Sequence, residues 1–153
     1  MKHIPVEVKL VDFQLARYAP PALDVCTLIT SSTLRDFRRN SAPTLLNTYY
    51  EMVKELLSTN GNMDIEAVLP RSEFDASCAH FSLAGLIETM LFSHLTLIPK
   101  RFAMDLLRSS DDFDSFLRGD EKLRICMRSF SEDITYQNRM TEIFVELIDT
   151  YCL

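Results

Sequence analysis

Glycine is scarce in this chain. Only Gly61, Gly85 and Gly119 occur among 153 residues, and no two lie close together. A phosphate-cradling loop needs clustered glycines so that backbone N–H groups can approach the phosphate oxygens. These residues therefore hold no Walker A loop, no dinucleotide fingerprint and no kinase-type glycine loop. Tryptophan is absent and prolines number six, which excludes collagen and low-complexity classes. The cysteines Cys26, Cys78, Cys126 and Cys152 form no CxxC pair, so the zinc-ribbon pattern is missing. A basic excess is missing too: 16 Lys and Arg stand against 22 Asp and Glu, a net charge of −6. A general nucleic-acid binder carries the opposite sign. The longest apolar stretch, Phe81 to Pro99, is interrupted by Glu88 and His94 and reads as a buried core helix rather than a membrane span. The opening MKHIPVEVKL lacks the apolar core of a signal peptide. The expectation is a cytoplasmic protein with reduced thiols, no nucleic-acid partner and no membrane partner.

What is present suits one soluble domain over residues 1–153, with 47% hydrophobic and 25% charged residues. Val6, Val8 and Leu10 alternate with Glu7 and Lys9, the period of a half-buried strand that runs into Val11-Asp12-Phe13 and stops at Tyr18-Ala19-Pro20-Pro21. Its backbone groups need a partner that nothing nearby offers. After Pro21 the pattern turns helical. Leu23, Val25, Cys26, Leu28 and Ile29 predict a short buried helix with Pro21 in its first turn. Residues 32–39 predict another, carrying Arg35, Arg38 and Arg39. Ser41 is expected to cap a third helix, with Pro43 in its first turn and a stripe from Leu45 and Leu46 to Leu56 and Leu57, ended by Asn60-Gly61. Residues 63–69 read as loop or short helix. Ser72 with Asp75 resembles a capping box that opens the long core helix, which Pro99 stops. Shorter helices are expected over 101–108, 110–118 and 121–130, and an amphipathic helix over 133–151. The fold class is mainly α with one N-terminal β-strand or hairpin remnant.

Few residues carry chemistry. His80 and His94 lie 14 apart, too far to share a metal ion from adjacent turns, and His3 stands alone. Cys78 and His80, two apart on a helix, face away from each other. Arg35, Arg38 and Arg39 read as a solvated helix face with an anion site as the alternative. The exception is Asp12. It ends an apolar strand and precedes an aromatic residue and a loop, so one carboxylate can project into a cleft. That suits a hard divalent ion whose other ligands are phosphate oxygens and waters.

The string KLVDFQLARYAPPALDV around it closely resembles the corresponding element of the ecdysteroid-kinase-like family, also called CHK-kinase-like. The resemblance runs through residues 8–14, Arg17-Tyr18, Pro21 and Ala22-Leu23-Asp24. The Tyr49-Tyr50 helix, the helix containing residues 81–98 and the terminal helix fit in order and spacing. This resemblance implies the carboxy-terminal part of a protein-kinase-like C-lobe. It implies an ATP-dependent phosphotransferase acting on a small alcohol, with Mg²⁺ and ATP as cofactors. By position, Asp12 matches the magnesium-binding, and hence nucleotide-binding, aspartate. Asp24 matches the aspartate that braces the catalytic loop. Gln14 stands where typical protein kinases have glycine. The family's H-G-D-x-W-x-x-N catalytic loop, its lysine and its phosphate loop are not found here, so no catalytic base is assigned. The implied chain is a fragment beginning just after that loop, inactive alone. The rivals are a truncated pseudokinase serving as an interaction module, and an unrelated helical domain.

Overall fold

A computed structural model describes Glu7, Lys9, residues 18–106, 111, 114, 116, 118–119 and 121–153. The strand expected over 6–13 falls outside the described residues except for Glu7 and Lys9. These two carry no regular structure, and their exposed side chains pair at 3.5 Å. Among the described residues there is no strand; the mainly α expectation stands and its strand component is not seen.

Helix α1, Pro21–Ser32, starts with a proline where the missing N–H is least needed. It buries Ala22, Leu23, Val25, Cys26, Ile29 and Thr30 along one side. Its end is written in Ser31, Ser32 and Thr33, whose hydroxyls bond back to the Leu28 and Ile29 carbonyls and compete with further helix.

Helix α2, Arg35–Gly61, is one continuous element where two helices were expected. Pro43 lies inside it, and Ser41 caps nothing. Proline deprives the Arg39 carbonyl of its partner. Both Arg39 and Pro43 face solvent, so water can take that carbonyl and the helix continues. The helix stops at Asn62, which adopts the left-handed conformation at φ 46° and returns its N–H to Leu57.

A single turn, α3 (Ile65–Val68), follows, capped by Asp64 and pinned by the buried Ile65. Helix α4, Arg71–Thr96, opens without the capping box read from Ser72 and Asp75. Instead Glu66 of α3 accepts the Arg71 N–H at 3.2 Å, and Asp75 grips the Arg71 guanidinium at 2.9 and 3.0 Å. The short α5, Lys100–Leu106, overlaps the helix expected over 101–108; the one expected over 110–118 lies largely outside the described residues. Helices α6 (Glu121–Glu132) and α7 (Ile134–Tyr151) are separated by Asp133, which caps α7 by accepting the Tyr136 N–H at 3.0 Å.

Helix α4 packs along α1 and also meets α7, which touches α6 and α2. The main core joins α1 to Tyr50 of α2, Ile65 of α3, and Phe74 and Cys78 of α4. The Phe74 ring, fully buried, lies between Tyr49 and Tyr50 at centroid distances of 5.9 and 5.3 Å. A second, smaller cluster gathers Phe102, Phe116 and Ile125 under Leu95 and Ile98. The buried helix expected from the 81–99 run is covered in part among the described residues. Leu86 is buried, whereas Leu91 and Phe92 are about half exposed at 54% and 49%. Likewise Met52 and Leu56 of the α2 stripe are exposed, while Leu46, Tyr49, Val53 and Leu57 pack inward.

Candidate functional site

Asp12, the expected metal ligand, lies outside the described residues. Asp24 sits in the first turn of α1 with its side chain exposed, while the preceding Ala22 and Leu23 are buried. Two apolar residues thus hold the turn down and leave the carboxylate pointing outward. Burial and the nearby Asp24 charge push the Tyr49 phenol above its ordinary range.

The basic cluster is not the solvated face it was read as. Arg38 is 7% exposed. Its guanidinium donates to the Thr30 and Thr33 carbonyls and pairs with Glu142 at 3.3 Å and with Glu146. Arg35 pairs with Asp149 at 2.8 Å. Arg139 joins in, donating to the Thr30 carbonyl at 2.7 Å and to Glu142 at 3.1 Å. Burial pulls the Arg139 guanidinium below its usual value, against the Glu142 charge. Two of the three arginines therefore fasten α7 to the exposed ends of α1 and α2. An isolated chain read one segment at a time carries no signal for this, because the carboxylates lie more than a hundred positions downstream.

Beside this network a cleft of about 490 Å³ opens between α1, α2, α4 and α7. Its floor is apolar, from Ile29, Ala42, Pro43, Leu46 and Leu86. At one side the Ser82 and Tyr151 hydroxyls bond at 2.8 Å. At another, Arg71 is held by Asp75, donates to Asn47 at 2.8 Å and lies 5.0 Å over the Tyr50 ring. The Tyr50 hydroxyl donates to Glu66 at 2.7 Å and lies 3.0 Å from the Leu69 carbonyl. Burial and that carboxylate push the phenol up to about 12, while the same bond draws Glu66 below the usual carboxylate range.

Nucleophilic chemistry finds little support here. Cys26 and Cys78 line the cleft, and Cys26 donates to the Cys78 carbonyl at 3.6 Å. Burial raises both thiols, Cys78 to about 12, so neither is a ready thiolate at neutral pH. All four cysteines are free, as expected of reduced thiols. His80 is exposed and edges onto Phe81, away from the buried Cys78. His94 stands near the α4 end, where burial and the Lys122 charge lower its basicity. Among the described residues no group of three His, Cys, Asp or Glu could hold a metal ion. Nor is any described helix long and apolar enough to cross a membrane.

The described residues thus define a helical scaffold with a polar-rimmed cleft and an exposed carboxylate, Asp24, in the first turn of α1. The model of the ecdysteroid kinase-like family matches residues 1–61. The stretch holds the Val11-Asp12-Phe13-Gln14 string, Ala22-Leu23-Asp24 and the Tyr49-Tyr50 helix, and it ends where α2 ends. The resemblance was expected to run through the whole chain; the match supports it over this N-terminal region. No curated protein and no solved structure matches the chain.

Proposed function

We propose that this chain is part of an ecdysteroid kinase-like phosphotransferase: the segment bearing Asp12 and the helices that follow it in the chain. The parent reaction is transfer of the ATP γ-phosphoryl group to the hydroxyl of a small alcohol. The observation that carries the reading is the family match over residues 1–61, a stretch that contains the Asp12 string and its A-L-D sequel. The burial of Ala22 and Leu23 beside an exposed Asp24 supports it, because a bracing carboxylate must be presented rather than packed away.

Asp12 supplies one carboxylate, which fits Mg²⁺ only where phosphate oxygens, waters and a further side chain complete the shell. Magnesium, when bound, neutralises charge on the phosphates during transfer. The 153 residues contain no H-G-D-x-W-x-x-N string and no tryptophan, so a catalytic base and second metal ligand have to come from elsewhere. Asp24 steadies that other segment through hydrogen bonds. The chain's own contribution is one metal-ligating charge and a wall that excludes water.

The test compares two polypeptides. This chain alone should transfer no phosphate from ATP above background. A polypeptide joining it to an upstream segment with the H-G-D string should transfer phosphate. There Asp12→Asn should abolish nearly all turnover without the loss of stability, about 2–5 kcal/mol, typical of a core truncation such as Leu86→Ala. Turnover by the chain alone that Asp12→Asn removes would sink the proposal. The exposed apolar side chains of α4 and α6, Leu91, Phe92, Leu123 and Met127, support a second reading, a non-catalytic interaction module. In-frame stop codons immediately upstream of Met1 in the transcript would favour that second reading.

A further inference from the structure

The cleft between α1, α2, α4 and α7 has a composition that selects a ligand. Where α2 and α4 face each other across it, the side chains are small: Ala42 and Pro43 on one wall, Ala79 and Ser82 on the other. A volume of about 490 Å³ results, within the range of small-molecule sites. Ile29, Leu46 and Leu86 make the floor apolar, so an apolar body is favoured there over water.

The charges on the walls do not cancel. Arg38, Arg39 and Arg71 face Asp75 and Glu146, which leaves one positive charge. Arg38 is committed to Glu142 and Glu146, and Arg71 to Asp75. Arg39 is the residue left over. It is exposed at the rim and has no counter-ion among the described residues. This local excess of positive charge stands in a chain whose net charge is −6. One cation accommodates one negative charge; a dianion would leave a surplus in a cleft that already holds two carboxylates.

We propose that this cleft binds an aliphatic monocarboxylate, its chain on the Ile29–Leu46–Leu86 floor and its head group on Arg39. The site is independent of Asp12 and of the phosphoryl-transfer reading.

Titration calorimetry of the whole chain with decanoate below its micelle concentration tests it, beside decanol and decyltrimethylammonium. Decanoate should bind tighter than decanol, and the trimethylammonium should not bind. Arg39→Gln should weaken decanoate by about tenfold, the order of one charge-assisted hydrogen bond, and leave decanol unchanged. Ala79→Leu, on an exposed helix position, should narrow the cleft between α2 and α4 and weaken both at least tenfold, with the circular dichroism spectrum intact. Equal binding of decanoate and decanol to the wild type would overturn the proposal. So would decanoate binding that is not weakened by Ala79→Leu or is unaltered by Arg39→Gln, a surface change that does not threaten the fold.

Discussion

Helix α1 meets α4, and α2 meets α7, by opposite means. Against α4 the seam is apolar and close. Gly85 lets the two backbones meet, and a Cβ there would stand 3.0 Å from the Cys26 carbonyl carbon and the Thr27 nitrogen. Thr27 then bonds Glu88 across the seam at 2.9 Å. Between α2 and α7 the junction is ionic: Arg35 and Arg38 of α2 pair with Asp149, Glu142 and Glu146 of α7, and Arg139 of α7 shares Glu142. An apolar seam tolerates no added volume but needs no exact partner. An ionic junction tolerates small shifts, yet loses heavily when one member goes, because the others stay desolvated. The α1–α4 contact is thus sensitive to shape and the α2–α7 contact to charge.

The largest effect should come from breaking the ionic side. Arg38→Met leaves Glu142 and Glu146 facing each other and should cost about 3 kcal/mol in urea unfolding, with α7 losing hydrogen-exchange protection first. A loss under about 0.5 kcal/mol would mean the junction is as weak as an exposed ion pair. On the apolar side, Gly85→Ala sets two effects against each other. Helix propensity favours alanine by about 1 kcal/mol, while overpacking against backbone costs about 1–3 kcal/mol. The Cβ would meet peptide atoms of α1, which cannot rotate aside as a side-chain tip can. Net destabilisation is expected, and a stabilised variant would show that the seam opens freely.

Asp133 sharpens the comparison because it serves α7 without α2. It caps the helix and pairs with Arg101 at 3.2 Å. Asp133→Ala should cost about 1 kcal/mol, the usual worth of an N-cap, seen as a shift of the urea midpoint without a change in slope.

The smallest effect concerns pH. Burial, then the Lys122 charge, lower the His94 pKa in the folded chain. The unfolded chain therefore takes up this proton first, near the ordinary value of about 6.5. Stability is present above that pH and falls as pH drops through it toward the lower folded value. Comparing wild type with His94→Gln between pH 7.5 and 5 isolates the contribution. A wild-type loss no greater than that of the variant would refute it.

Sequence patterns placed α1, α4, α5, α6 and α7 to within a few residues, because burial on one side leaves a local pattern of period 3.6; α2 was read as two helices and α3 as loop or short helix. Pro21, Asn60-Gly61 and Pro99 marked boundaries for local reasons as well. The one misplaced boundary, at Ser41 and Pro43, followed from a rule that holds when the freed carbonyl is buried; at Arg39 it is not. The Asp12 string pointed to the family because its residues are contiguous, and the match to residues 1–61 bears that out.

Contiguity is also where sequence reading stops. Whether an apolar side chain of the 81–99 run is covered depends on which helix lies beside it, and Leu91 and Phe92 of α4 stay about half exposed. Whether Arg38 is solvated depends on Glu142 and Glu146, over a hundred positions away. The cleft exists because Ala42, Pro43, Ala79 and Ser82 from two helices face each other. Helix identity is set by interactions within four residues of each position, so the chain alone determines it. Burial, ion pairing and cavities are set by which distant surfaces meet, and only the packed structure decides those.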